Sequence, residues 1–226
     1  VHPNPLVGAV IEKDGKIIAE GFHHEYGNLH AERDALKNAA EKNACVRGAN
    51  LYVTLEPCCH TGKQPPCTQA IIDAGIKNVV IGSRDPNSLV NGKGVAQLEN
   101  AGIKIFRNFM KAECDSLNEI FFYYITAKRP FVIVKYAQSA DGKTSLSSGE
   151  SKWITNESSR KYVHYLRGTT AAVMCGIQTV LKDDPLLTCR IKGEELNQPV
   201  RIVLDTELKI PLESNLVKTA NEVPLI

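Results

Sequence analysis

The sequence predicts two α/β domains in succession, each a sheet with helices packed on it. Three observations carry that expectation. Length is the first: 226 residues is about one and a half average domains. The second is that strand-like apolar runs alternate with short helical patterns up to about residue 127, after which the alternation starts again. The third is Lys128-Arg129-Pro130, where a helical pattern must stop ahead of the proline. That tripeptide sets the expected boundary between a domain over 1–127 and one over 128–226.

Leu6–Glu12 and Lys16–Phe22 flank Lys13-Asp14-Gly15, and Asp-Gly supplies the positive φ angles of a tight hairpin. His30–Asn43 reads as a helix, with Ala35, Leu36, Ala39 and Ala40 as its apolar stripe. Leu51–Leu55 is a strand that runs into a Cys- and Pro-rich loop over Glu56–Pro66. A helix over Cys67–Ala74 stops at Gly75, and the strand Asn78–Gly82 follows. Val95–Asn100 is a helix and Ile103–Phe106 a strand. Leu117, Ile120, Phe121, Tyr124 and Ile125 recur at steps of three and four, so Lys111–Ala127 is expected as one helix. Beyond the boundary, Phe131–Ala137, Ala171–Cys175 and Val200–Asp205 read as strands and Glu157–Leu166 as a helix. Glu222–Ile226 reads as the start of a further strand, so the second domain is expected to be incomplete in this chain.

Composition narrows the function classes. Hydrophobic residues at 43% and charged residues at 23% are ordinary globular usage, which excludes disorder and fibrous repeats. No apolar run approaches the ~18 residues of a spanning helix, and no charged-then-apolar leader opens the chain. A net charge of +2 is too balanced for a phosphate-backbone binder, so neither nucleic acid nor membrane is expected as a partner. Seven cysteines, an odd number, argue against a disulfide framework and for a reducing, cytoplasmic setting. Three of them fall within Cys58–Cys67, which points to metal or catalysis.

His30-Ala31-Glu32 opens one expected helix, and the loop from Pro57-Cys58 ends at Cys67, at the start of another. One imidazole and two thiolates suit a borderline-soft cation, zinc above all. Three protein ligands leave a fourth tetrahedral position for water, and Glu32, two residues after His30, is placed to move a proton between that water and a leaving amine. Two bland readings stand beside this one: a buried histidine with two core cysteines, and a structural zinc closed by Cys59 or His60. Against the latter, Glu32 would have no task, and adjacent cysteines do not easily reach one metal. Lys63, in a Gly-flanked loop, is a candidate for a substrate phosphate, and Asn4, between two prolines, for a pyrimidine edge.

H-x-E…P-C…C is the signature of zinc-dependent nucleobase deaminases. Here eight residues separate Cys58 from Cys67, where the common form has two. In this longer form, with Pro3–Val10 and the Gly21–Glu32 stretch, the sequence resembles the bacterial bifunctional riboflavin-biosynthesis family, RibD. Ser139–Lys143, Glu150–Thr155, His164–Gly168, Gly176–Arg190 and Val200–Asp205 resemble that family's reductase half. The resemblance implies a cytidine-deaminase-like three-layer α/β/α domain, then a truncated dihydrofolate-reductase-like α/β domain lacking about its last third after Ile226. It also implies a missing helix before Val1. It implies Zn2+ at His30, Cys58 and Cys67, Glu32 as the proton carrier, and His23 against substrate. In the second half it implies NADPH against Ala137, Trp153, Thr179 and Asp183, and substrate against Ser151, Arg167, Leu187 and Arg190. The implied chemistry is hydrolytic deamination of a 2,5-diamino-6-(phosphoribosylamino)pyrimidinone, then reduction of its ribosyl to a ribityl chain, by a homo-oligomer. No G-x-G-x-x-G follows a strand, so the residues alone do not establish a dinucleotide site.

Two rivals remain open on the sequence. A cytidine or RNA deaminase is opposed by the near-neutral charge, by aromatics at 6% and by a whole second domain. A non-catalytic zinc-stabilised module would unfold on chelation, whereas a catalytic-zinc domain would stay folded.

Overall fold

Strand β1 (Gly8–Lys13) turns directly into β2 (Lys16–Phe22). Asp14 at φ 53° and Gly15 at φ 77° make the two-residue turn, and the Glu12 carboxylate accepts the Gly15 N–H at 2.6 Å. The computed structural model describes residues 4–191, 193 and 196–226, so Pro3 of the opening motif lies outside the described residues. The chain divides into two compact units, Val1–Ile133 and Val134–Ile226.

In the first unit the hairpin is followed by α1 (Ala31–Glu41), β3 (Asn50–Leu55), α2 (Cys67–Asp73), β4 (Asn78–Ser83), α3 (Lys93–Asn100) and β5 (Lys104–Phe106). The sheet order is β2-β1-β3-β4-β5. β1 is antiparallel to both neighbours, while β3, β4 and β5 run parallel, as connection through helices requires. Ala31, Ala35 and Ala39 of α1 pack with Ala9, Ile11, Leu51, Val53, Ile71, Val79 and Leu98 in one core. Small residues on that stripe let the helix lie close to the sheet: a Cβ on Gly21 would fall 2.2 Å from the Ala35 nitrogen. Each fully buried Leu, Ile or Val contributes about 1.5–3 kcal/mol. Ala40, expected on the stripe, is exposed.

Lys111–Ala127 is not one helix. It divides into α4 (Lys111–Leu117) and α5 (Glu119–Ala127) at Asn118, whose φ of −124° leaves the helical region. The cause is tertiary: the buried Asn118 amide accepts the Leu6 N–H at 2.8 Å and donates to the Leu6 carbonyl at 2.7 Å. Two exchanged hydrogen bonds outweigh one continued helical turn.

The second unit contains α6 (Glu157–Thr169), β6 (Ala172–Gly176), α7 (Ile177–Asp183), β7 (Val200–Leu204) and α8 (Asn215–Lys218). β6 and β7 pair in parallel over five residues. The fully buried Arg201 of β7 donates to the carbonyls of Leu186, Leu216, Thr219 and Val223, tying the Leu186 segment and the stretch around α8 to one guanidinium. Phe131–Ala137, expected as a strand, is not one: no described strand pairs with it, and Val132 and Val134 are 77% and 78% exposed. β-branched composition favours a strand only where a neighbour takes up its backbone groups. Glu222–Ile226 makes a single bridge, Leu225 to Arg201, and no full strand. Among the described residues no helix is long and apolar enough to cross a membrane.

Candidate functional site

Two helix starts and one loop bring the metal-type side chains together. His30 is the residue before α1, in extended conformation (φ −74°, ψ 159°), so its ring leaves the helix end. Cys67 is the first residue of α2, directly after Pro66. Cys58 lies just beyond β3 and is fixed to α2 twice: the Cys67 N–H points at its sulfur at 3.4 Å, and the Thr68 N–H donates to its carbonyl at 3.1 Å. Arg33 of α1 completes the frame by donating to the carbonyls of Pro65 (3.1 Å) and Pro66 (3.2 Å).

His30 Nδ1 is 3.4 Å from Cys58 Sγ and 3.5 Å from Cys67 Sγ, and the three atoms lie within 4.8 Å of one another. Bonds of about 2.0–2.3 Å at tetrahedral angles span about 3.5 Å between N and S ligands. The donor set therefore fits zinc in both chemistry and spacing. No fourth His, Cys, Asp or Glu joins the group among the described residues. Cys59 points elsewhere, with its sulfur 3.7 Å from the Leu89 carbonyl. Cys58 is the more acidic thiol, held down to about 4 by its hydrogen bonds to Cys67 and His30. Cys67 is pushed the opposite way by pairing with Cys58 and by burial, and His30 is raised by its hydrogen bond to Cys58.

Glu32, 3% exposed in the first turn of α1, is pushed up to about 7, first by burial and then by the neighbouring Cys58 charge. A carboxyl balanced near neutrality can both accept and return a proton. It opens onto a cavity of about 260 Å³ whose wall also holds Asn4, His23, His30, Cys58 and Lys63. The expected residues of this half thus share one wall, except Cys67, which is fully buried behind it. Leu29's carbonyl, 2.9 Å from His23 Nδ1, can only accept, so that nitrogen carries the proton and Nε2 accepts from Asn4 Nδ2 at 2.9 Å. Lys63 Nζ stands 3.9 Å over the Tyr26 ring.

The cavity also holds Asp85 and Asn87, which no sequence pattern singled out, and His60, which the sequence offered only as a fourth ligand of a structural zinc. Asp85 and Asn87, just after β4, are on its wall. Burial, reinforced by the charge of Glu56, raises Asp85 to about 6, although the Asn87 N–H donates to it at 2.8 Å. His60 lines the same cavity, and its Nδ1 is buried without a hydrogen-bond partner. The available signal was positional: residues that follow the carboxyl end of a parallel strand face the cleft of an open α/β sheet.

In the second unit an open groove of about 970 Å³ is lined by Ala137, Ser151, Trp153, Arg167, Asp183, Leu187 and Arg190. Thr179 is exposed on α7 and is not part of that lining. Lys135, Lys152, Arg160 and Lys161 add positive charge to the groove. His164 Nδ1 accepts the Arg190 N–H at 3.2 Å, and burial with the two nearby guanidiniums lowers its pKa.

Comparison with known proteins places both units. Residues 1–83 match the cytidine and deoxycytidylate deaminase zinc-binding region, and residues 130–226 match the RibD C-terminal domain. The riboflavin biosynthesis protein RibD of Actinobacillus pleuropneumoniae is 52% identical over 98% of this chain and 57% of its own length. The RibD of Aquifex aeolicus is 52% identical over 100% of this chain and 62% of its own length. A Thermotoga maritima diaminohydroxyphosphoribosylaminopyrimidine deaminase/5-amino-6-(5-phosphoribosylamino)uracil reductase superposes with a TM-score of 0.91 at 48% identity, covering 99% of this chain and 62% of that one. The chain spans about 57–62% of the length of these relatives. With a cytidine-deaminase-like unit followed by a RibD C-terminal unit in that order, the chain belongs to the RibD family.

Proposed function

We propose that the first unit carries out hydrolytic deamination of a 2,5-diamino-6-(phosphoribosylamino)pyrimidinone, and that the second belongs to an NADPH-dependent reductase of the ribosyl chain. The observation that carries the first half is the juxtaposition of the three-ligand cluster with the buried Glu32, which shares a cavity wall with His30 and Cys58. Zinc, when bound by His30, Cys58 and Cys67, supplies Lewis acidity that makes water a nucleophile at neutral pH. Glu32 would take the proton from the attacking water and return it to the leaving amine. Water adds to the amino-bearing carbon, the carbon–nitrogen bond breaks, and ammonia leaves a carbonyl behind. The Asn4–His23 pair, with Asp85 and Asn87, presents fixed amide and ring polarity to the pyrimidine, while Lys63 at the loop tip meets the phosphate.

For the second half, Arg167 and Arg190 have the forked geometry that pairs with phosphate oxygens, with Ser151 and Leu187 beside them. Ala137, Trp153 and Asp183 border the same groove where NADPH, when bound, supplies hydride; Thr179 belongs to this role by resemblance alone. The functional division falls at 1–127 and 128–226. Seven free cysteines agree with a reducing, cytoplasmic setting.

Ammonia release by the full chain on the diaminopyrimidinone phosphate tests the first half. Activity that vanishes with chelator and returns with zinc supports it. A zinc-loaded chain that deaminates cytidine and leaves the pyrimidinone phosphate intact would replace it with the cytidine-type rival.

A further inference from the structure

The residue before the Pro57-Cys58 pair is a buried carboxylate that the proposed chemistry does not use. Glu56 is 4% exposed at the end of the β3 connection. Its two oxygens accept the Gly92 N–H at 2.9 and 3.0 Å, and Oε1 also accepts the Val95 N–H at 3.2 Å. The carboxylate therefore caps the N-terminus of α3, where unpaired N–H groups and the helix dipole favour negative charge. Contact with α3 continues through the next residue. A Cβ on Gly94 would lie 2.2 Å from the Pro57 carbonyl oxygen, so the helix presses directly on the peptide that leads into Cys58. The other thiol is tied to the same helix: Thr68, adjacent to Cys67, donates its hydroxyl to Gln97 at 2.7 Å.

We infer that Glu56 is a positioning residue for the metal ligand Cys58, and that α3 is the rigid backing setting the spacing of the two sulfurs. The inference rests on the reading of His30, Cys58 and Cys67 as a zinc site. Proline between Glu56 and Cys58 makes the link short and stiff, with one residue of fixed φ between anchor and ligand. Loss of the anchor leaves Cys58 held from the α2 side alone, so the folded protein holds zinc less firmly.

Two variants of the full chain test this without reference to activity. Glu56→Ala removes all three acceptor contacts. Glu56→Gln keeps the shape and Oε1 but turns the second oxygen into a donor facing Gly92. Folding is checked by circular dichroism; zinc release to a chelator and the absorption spectrum of the cobalt-substituted protein are then measured. Supporting partners of metal ligands are typically worth about 10–100-fold in affinity. The expected result is zinc release faster by that factor in Glu56→Ala, an intermediate rate in Glu56→Gln, and shifted cobalt bands in both. Should the alanine variant not fold, the isosteric glutamine variant carries the test alone, with faster release and a shifted spectrum still required. Folded variants with wild-type release and an unchanged spectrum would overturn the inference while leaving the zinc reading intact. A wild-type chain that holds no zinc would overturn both.

Discussion

Asn4 and His23 hold one another in place on the wall of the first unit's cavity, with Asn4 Nδ2 2.9 Å from His23 Nε2. Because Leu29 fixes the proton on His23 Nδ1, the Asn4 amide must donate, so its carbonyl oxygen is the group that can accept from a ligand. The pair therefore acts as a unit. Asn4→Ala and His23→Ala should each lower kcat/KM for ammonia release about tenfold, the loss of roughly one hydrogen bond. The double variant should lose clearly less than the product of the two. Strict additivity in that cycle would show that the residues act independently.

Ligand choice between adjacent cysteines follows from where their sulfurs point. Cys58 faces His30 and Cys67, and Cys59 faces the Leu89 carbonyl. Cys58→Ser and Cys67→Ser should lose stoichiometric zinc, while Cys59→Ser should retain it. Equal zinc loss in the Cys58 and Cys59 variants, by metal analysis of the purified proteins, contradicts the assignment.

Asn118 is worth stability. Its side chain exchanges two hydrogen bonds with Leu6 in a buried position, and alanine leaves both Leu6 groups without that partner. The expected cost of Asn118→Ala is about 2–3 kcal/mol, seen as a Tm several degrees lower. A Tm within a degree of wild type would mean that water replaces the amide at no cost.

Asp85 should make the first unit less stable as pH rises. Its folded pKa, about 6, is above the ordinary value of 3.8 because burial disfavours the anion. Between those values the folded state binds more protons than the unfolded state, so stability falls with rising pH across that window and is level above it. Asp85→Asn should flatten the slope and raise stability at pH 7 by on the order of 1–3 kcal/mol. Parallel pH–stability curves for variant and wild type would refute this origin.

What the sequence made legible is what short-range chemistry determines. Asp14-Gly15 permits one tight hairpin, and His30, Cys58 and Cys67 are residue types that few tasks bring together at helix starts. What escaped depends on distant partners. Asn118 breaks a periodic helix because Leu6, far away in sequence, offers its backbone. Phe131–Ala137 has strand composition but no described neighbour to pair with. Asp85, Asn87 and Glu56 carry no local pattern, and only the sheet order and the α3 N-terminus bring them to the cavity and its backing.

Glu32 is assigned to moving protons at a metal that it does not bind. Glu32→Gln keeps the size and hydrogen-bonding shape of the side chain but cannot carry the proton. The deciding measurement is ammonia release from the diaminopyrimidinone phosphate by the Glu32→Gln chain, with its zinc content determined on the same sample. Full zinc and a rate lower by about 10²–10⁴-fold are expected. A variant that keeps its zinc and more than about a tenth of the wild-type rate, or one that loses its zinc, would contradict the assignment.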